Sequence, residues 1–418
     1  MPQTTIGRNV VPARLPRALK IVLGLLWLSA FINYVDRGNL SIAAPLLKDE
    51  LGLSPSQLGI LLSSFFWTYS SFQLVAGWAV DRFDVSVVMA AGLFIWSAAT
   101  AATGWMHGFA ALLLMRLVLG VGESVAYPSY SKILAGHCPE ERKGIANAVL
   151  ASGLSLGPAF GIFAGGILIG KVGWREYFIV LGFSSMLWLL PWWRFKLKAR
   201  AEKSKAKLGY REILKQRSAW GTCAGLFCGN FMMYFLLTWL PYYLVRERHF
   251  SMGEMARIGG LAYILTATTA LISGWAADKF MAAGKSATVV RKGFLVSGMA
   301  GAGVFLVLCV AANPRYSIGM LMAASAFLGM ATANWWPVTQ TMAGPHAAGR
   351  WVGVQNLSGN FSGVVAPAVT GFVVERTGEF YWAFVMVGVV ALLGSLVWMF
   401  WVGPVEPVQW EDAVIGSY

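Results

Sequence analysis

The chain has 418 residues, of which 57% are hydrophobic and only 12% charged, and 33 Lys and Arg against 19 Asp and Glu leave a net charge of +14. A soluble domain carries about a quarter charged residues, so a chain this poor in charge must present much of its surface to something other than water. Four Cys lie in or beside apolar runs without paired spacing and four His are scattered, which leaves no signature of a disulfide framework or a metal centre.

The elements follow in chain order. A basic N-terminus (Arg8, Arg14, Arg17, Lys20) runs into an apolar stretch that begins at Ile21 and continues to about Pro45 without a small-residue cleavage site. That stretch is long enough to span a bilayer, so it reads as a retained first helix and not as a signal peptide. A bilayer core needs about 20 apolar residues per helix. Runs of that length occur at 21–45, 56–80, 86–105, 109–134, 144–170, 176–193, 218–245, 256–277, 290–312, 316–343, 351–374 and 380–402, giving twelve predicted spans. The 47 Gly suit helices whose backbones approach closely in lipid. Trp105, Trp174, Trp220 and Trp382, near span ends, read as an interfacial belt.

Charge distribution sets the expected orientation. With the N-terminus inside, cytoplasmic segments hold 23 Lys and Arg and external loops hold 8, while Arg37 and Arg116 fall within spans. This asymmetry predicts that both termini are cytoplasmic, and it accounts for the basic balance without a nucleic-acid partner. Ten of the basic residues lie in 194–217, the only long hydrophilic stretch, which separates 1–193 from 218–418 with six spans in each. The segment Gly77-Trp-Ala-Val-Asp-Arg-Phe83 recurs 197 residues later as Gly274-Trp-Ala-Ala-Asp-Lys-Phe280. Pro128, Asn147 and Pro158 return 209 residues later as Pro337, Asn356 and Pro367. The expected fold is therefore an all-α membrane protein with two pseudo-symmetric six-helix bundles and a substrate site at midplane between them.

Of the 19 acids only Asp36 and Glu123 fall inside spans, together with Arg37 and Arg116. Each costs about 2.5–3.5 kcal/mol at a helix centre on insertion scales, so all four are expected to face an interior cavity and one another. Arg116, Gly120 and Glu123 are spaced i, i+4, i+7, on one helix face about 10 Å from end to end. Asp36 and Arg37 point about 100° apart, so one is expected to face span 4 and the other the cavity. Placing Asp36 beside Arg116 and Glu123 leaves Arg37 without a dedicated acid, its planar guanidinium suited to bidentate bonding of a carboxylate. Carboxylates whose surroundings alternate between cations and a desolvated interior can load and release protons. A structural ion-pair network that only fixes helix packing is the competing reading.

Several stretches resemble a known family. Gly77 to Arg82 is similar to the loop after the second span in the major facilitator superfamily, departing from it where Asp84, Val85 and Ser86 replace Gly-Arg-Arg. Asn33-Tyr-Val-Asp-Arg-Gly-Asn39, Arg116-Leu-Val-Leu-Gly-Val-Gly-Glu123 and Gly353-Val-Gln-Asn-Leu-Ser-Gly-Asn360 resemble the anion:cation symporter branch, which includes bacterial galactonate, glucarate and hexuronate transporters. The resemblance implies a proton-coupled symporter in the cell's inner membrane that imports a sugar acid by alternating access. Asp36, Glu123 and Arg116 would serve proton coupling; Arg37 would anchor the anion, with Tyr34, Tyr69, Trp336 and Asn356 also contacting substrate, Trp336 being preferred over Trp335. Gly77, Asp81, Arg82 and Asp278 would form a cytoplasmic gate. The expected partners are a small carboxylate, protons and lipid, with no nucleic acid, no cofactor, no metal and no second subunit. No nucleophile or catalytic dyad points to an enzyme. The alternatives are the same fold carrying phosphate or another organic anion, driven by sodium, or a proton-coupled exporter, against which the anchoring Arg37 speaks.

Overall fold

The computed structural model describes residues 16–138, 140–195 and 210–410. Arg8 and Arg14 of the basic N-terminus, the centre of the 194–217 stretch and the side chains of Asp81 and Asn147 lie outside the described residues. Among the described residues every regular element is helical. Eleven helical stretches are long and apolar enough to cross a membrane. Helix α2 (Pro55–Arg82), at 28 residues, completes the twelve, since about 42 Å of helix exceeds a hydrocarbon core of about 30 Å.

The first span is α1 (Arg17–Leu51), which continues past Pro45 to a left-handed cap at Gly52. Helix α3 is Val85–Thr103. Span 4 is built from α4 (Phe109–Ser124) and α5 (Ala126–His137), and span 5 from α6 (Glu140–Phe160), a π-helical turn at Gly161–Gly165, and α7 (Gly166–Val172). Span 6 combines α8 (Trp174–Met186) with α9 (Leu189–Phe195), and a short α10 (Tyr210–Leu214) leads into α11 (Arg217–Arg246). Helices α12 (Met252–Ala282) and α13 (Ala287–Ala311) follow, then α14 (Pro314–Thr377) and α15 (Phe380–Leu396). The sequence separates spans 10 and 11 within α14. The helix carries one non-helical residue there, Gly344 at φ 65°, where the absence of a Cβ admits the left-handed turn that reverses the chain.

The repeat is visible in the helix starts. Ser54 and Gln57 form a capping box at the start of α2, and Ser251 and Glu254 form another at the start of α12. These boxes are offset by the same 197 residues that relate Gly77 to Gly274, and each satisfies two helix-terminal amides that have no partner within the helix.

Small residues set the packing that positions the interior. Gly153, Gly157, Gly161 and Gly165 recur every fourth residue and lay span 5 along α1. A Cβ at Gly157 would stand 2.7 Å from the Tyr34 Cβ, and one at Gly153 3.0 Å from the Trp27 carbonyl. In α4 two glycines wedge the helix between its neighbours. A Cβ at Gly120 would lie 2.4 Å from the Phe65 carbonyl of α2, and one at Gly122 would lie 2.7 Å from the Trp96 amide of α3. Close backbone approach of this kind holds membrane helices together where lipid removes the hydrophobic drive.

The two bundles meet mainly through α2 with α14, α1 with α11, and span 5 with α12. Two close backbone approaches lie toward one end. There a Cβ at Gly59 of α2 would be 2.6 Å from the Pro367 carbonyl, and one at Gly371 would be 2.5 Å from the Pro55 carbonyl.

Candidate functional site

Helix α1 carries Asn33, Tyr34, Asp36, Arg37 and Asn39 into the interior, and α4 brings Arg116 and Glu123 to meet them. Asp36, Arg37, Arg116 and Glu123 are exposed by only 2%, 6%, 5% and 0%, and all four lie within electrostatic reach of one another. None faces lipid.

The pairing inside this cluster differs from the sequence expectation. Arg37 donates from Nε to Glu123 Oε2 at 2.9 Å, a buried ion pair, so Arg37 does have an acid partner. Asp36 turns the other way. Its Oδ1 accepts from Thr100 Oγ1 of α3 and from Asn39 Nδ2, both at 3.2 Å. Arg116 lies near both acids but its buried Nε has no hydrogen-bond partner. The reason is rotational: neighbouring residues on a helix point about 100° apart, and here the wedge made by Gly120 and Gly122 brings Glu123 under Arg37 while Asp36 is left facing α3. Several buried polar atoms have no hydrogen-bond partner, among them Glu123 Oε1, Asp36 Oδ2 and Asn33 Nδ2, although Asn33 stands close to Glu123.

Aromatic rings surround Arg37. Its Cζ sits 4.5 Å from the Tyr34 ring centroid, 4.3 Å from Tyr69 and 5.2 Å from Phe65. Phe65 also faces the Arg116 guanidinium at 5.2 Å and stacks on Tyr69. Desolvated cation–π contacts of about 2 kcal/mol help hold these guanidiniums where water is scarce.

Tyr127 and Tyr234 join the cage without having been expected. Tyr127 is 45% exposed although it stands within reach of Arg37, Tyr34 and Tyr69. Tyr127 and Tyr130 follow Glu123 at i+4 and i+7, and extending the Arg116–Glu123 face by two turns would have found them. Tyr234 of α11 packs edge-on against Phe66 at 4.4 Å, lies within reach of Arg37, and donates to Asn360 Oδ1 of α14 at 2.9 Å. The repeat would have found it, because the 197-residue offset carries Arg37 onto Tyr234 and Asn33 onto Asn230.

In the second bundle, Asn356 is half-buried on α14, one turn before the buried Asn360. Trp336 is half-buried against the large core of that bundle. Trp335 is 4% exposed, its ring against Gly229 of α11 and its Nε1 without a hydrogen-bond partner. Of the residues expected at a gate, Gly77, Arg82 and Asp278 are not brought together with the charge cluster. Gly77 has open space where a Cβ would point, Arg82 is exposed, and Asp278 accepts from Arg291 at 3.2 Å.

The opposite end is tied shut across the bundles. Glu375, near the end of α14, accepts through Oε2 from the Ser54 hydroxyl at 3.0 Å and from the Ser56 amide at 2.8 Å, at the start of α2. Arg246 of α11 donates to the Pro45 carbonyl of α1 at 2.9 Å and pairs with Asp49.

Twelve spans in two bundles around a shared polar interior define a multi-pass secondary membrane transporter. The chain belongs to the Major Facilitator Superfamily, which matches it over residues 26–290 and 281–416. It is 29% identical over 417 residues to the probable sulfoacetate transporter of Cupriavidus necator, covering 95% of this chain and 96% of that protein. To the hexuronate transporter of Bacillus subtilis it is 29% identical over 399 residues, covering 92% and 94%. To the probable galactarate/D-glucarate transporter of Escherichia coli K12 it is 28% identical over 425 residues, covering 93% and 96%. Among solved structures, the occupied, inward-facing bacterial homologue of the human lysosomal transporter Spinster superposes with a TM-score of 0.79 at 20% identity, covering 92% of this chain and 97% of that one. The D-xylose-proton symporter superposes with a TM-score of 0.75 at 12% identity, covering 93% and 99%. At such identities the likeness speaks to the fold alone.

Proposed function

We propose that this protein is a proton-coupled symporter that imports a small carboxylate, a sugar acid, by alternating access in the cell's inner membrane, working as a monomer. The observation that carries the reading is the buried Arg37–Glu123 pair with Glu123 Oε1 unmet. Arg37 is the anchor for a substrate carboxylate, and Glu123 competes for it. A proton on Glu123 removes the competing charge and frees the guanidinium fork for bidentate binding.

Charge balance ties the two events together. Asp36, Glu123, Arg37 and Arg116 sum to zero when ionised. One proton on either acid leaves one net positive charge, which a monocarboxylate cancels. Anion alone or proton alone leaves a net charge in a low-dielectric interior, and that is costly. Tyr34, Tyr69, Tyr127 and Tyr234 supply hydroxyls and ring faces suited to a hydroxylated substrate, with Trp336 and Asn356 reaching it from the second bundle. The Glu375 and Arg246 contacts hold one end shut while substrate exchanges through the Gly77 end, where Asp81, Arg82 and Asp278 belong to the gate. The relatives, named as carriers of sulfoacetate, hexuronate and galactarate or glucarate, support an organic anion as cargo.

The test uses purified protein in proteoliposomes. Thermal stabilisation is scored across aldonates, aldarates, hexuronates, sulfoacetate and phosphate, and the best binder is then followed in uptake driven by a pH gradient or a sodium gradient. The expected result is stabilisation by a sugar acid and accumulation that collapses with the pH gradient. Stabilisation only by cations or neutral lipophiles would overturn the assignment.

A further inference from the structure

The two oxygens of Asp36 have unequal surroundings. Oδ1 takes both available donors, Thr100 Oγ1 and Asn39 Nδ2, whereas Oδ2 is buried with no hydrogen-bond partner. Asn39 is itself held from outside, its Oδ1 accepting from the Tyr177 hydroxyl of α8 at 2.9 Å. A side-chain amide has one donating and one accepting end, so the Tyr177 hydroxyl determines which end of Asn39 meets Asp36. Tyr177 reaches this position because Gly165, in the π-helical turn of span 5, has no side chain. A Cβ there would stand 2.7 Å from the Tyr177 oxygen. The charged and titratable groups that face Asp36 are Glu123 and Arg116 from α4 and Tyr177 from α8, with Arg37 next to it on α1.

We propose that Thr100, Asn39 and Tyr177 are positioning residues for a proton on Asp36, holding Oδ1 as a permanent acceptor and reserving Oδ2 as the atom that gains and loses the proton. This rests on Asp36 being a coupling acid. The arrangement works in both states. As a carboxylate Asp36 accepts both donors on Oδ1. When Oδ2 takes a proton from water admitted as the protein alternates its access, Oδ1 becomes the carbonyl oxygen and still accepts both. The donors nevertheless favour the charged form, because hydrogen bonds to an ionised acceptor are about twice as strong as neutral ones. Removing a donor therefore moves proton uptake by Asp36 to higher pH, by about one pH unit for each direct donor lost.

The experiment is a pH titration of the full-length protein in lipid, followed by the infrared band of the protonated carboxyl group that disappears in Asp36→Asn. Its midpoint should rise by about one pH unit in Thr100→Val and return in Thr100→Ser, where the hydroxyl is kept. Tyr177→Phe, which removes a single oxygen atom, should also raise it. The double variant Tyr177→Phe/Asn39→Ala should move it no further than Asn39→Ala alone, since Tyr177 acts through Asn39. Unchanged midpoints in Thr100→Val and Tyr177→Phe would overturn the proposal and leave Asp36 as a coupling acid. If no titrating band is lost in Asp36→Asn, the coupling role of Asp36 fails, and the positioning role fails with it.

Discussion

Replacing Glu123 by Gln removes one charge and almost no volume. The Arg37 Nε to Glu123 Oε2 distance is 2.9 Å and both side chains are nearly inaccessible. At an effective dielectric constant of about 20 their attraction is about 6 kcal/mol before desolvation is set against it. The net worth of a hydrogen bond to a charged partner is smaller, about 1.5–3 kcal/mol. An arriving carboxylate must overcome that hold on Arg37. In Glu123→Gln the hold falls to that of a neutral acceptor, so carboxylate affinity at alkaline pH should tighten by roughly 10- to 100-fold and lose most of its pH dependence. The same variant cannot carry a proton at this site. Exchange of labelled for unlabelled substrate should persist, while accumulation driven by a pH gradient should fall to the equilibrium level. Binding by calorimetry across a pH series, and uptake in proteoliposomes with and without the gradient, read both effects. Wild-type accumulation with wild-type pH dependence of binding would refute the reasoning, since Glu123 would then be a packing residue with a charge.

Three further outcomes follow from the same geometry. Arg37→Lys keeps the charge but loses the planar fork, so it should fold as wild type and bind the best substrate at least 10-fold more weakly; unchanged affinity in a titration would remove Arg37 as the anchor. Gly120→Ala puts a Cβ 2.3 Å from Thr68 Oγ1 and 2.4 Å from the Phe65 carbonyl, about 1 Å inside contact. It should therefore cost about 1–3 kcal/mol and disturb the Phe65 and Tyr69 rings under Arg37, read as a lower melting temperature together with weaker substrate binding. Glu375→Ala removes two bonds that close one end. Spin labels at Lys48 and Glu247 should then report a longer distance population than in wild type, and an unchanged distribution would show that Glu375 is not a latch.

The spans, the repeat and the four buried charges are legible in the sequence for one physical reason: a charge inside an apolar run of about 20 residues is expensive enough to require explanation. Which charge meets which is not legible. Asp36 and Arg37 are adjacent, so a modest rotation of α1 exchanges their partners, and the rotation is set by glycines at 120, 122, 157 and 161 acting through three helices. Hydroxyl and phenol groups are harder still. Thr100 and Tyr177 read as ordinary membrane residues, because Thr back-bonds within helices and Tyr favours interfaces. Only coordinates reveal that Thr100 instead bonds Asp36. Tyr234 is a different case. It carries no charge to mark it, but the internal repeat places it opposite Arg37, so pseudo-symmetry is the signal that finds uncharged members of such a site.

The incomplete satisfaction of the cluster bears on what it is for. Breaking a buried ion pair is costly, yet the pair itself is a weak stabiliser compared with a well-packed apolar replacement. A network kept only for rigidity gains by satisfying every member, since a partly satisfied polar network in a low dielectric is worse than none. Here Arg37 and Glu123 share a single bond, while Glu123 Oε1, Asp36 Oδ2 and Arg116 Nε have no hydrogen-bond partner, Asn33 standing close to Glu123. The unused capacity has a consistent chemistry: two carboxylate oxygens that can take protons, and a guanidinium that can hold an anion. Both acids also stand beside cations whose charge they offset, so neutralising either one leaves a cation that favours an anion. A purely structural network has no use for that relation, and a site that loads a proton and a carboxylate together depends on it.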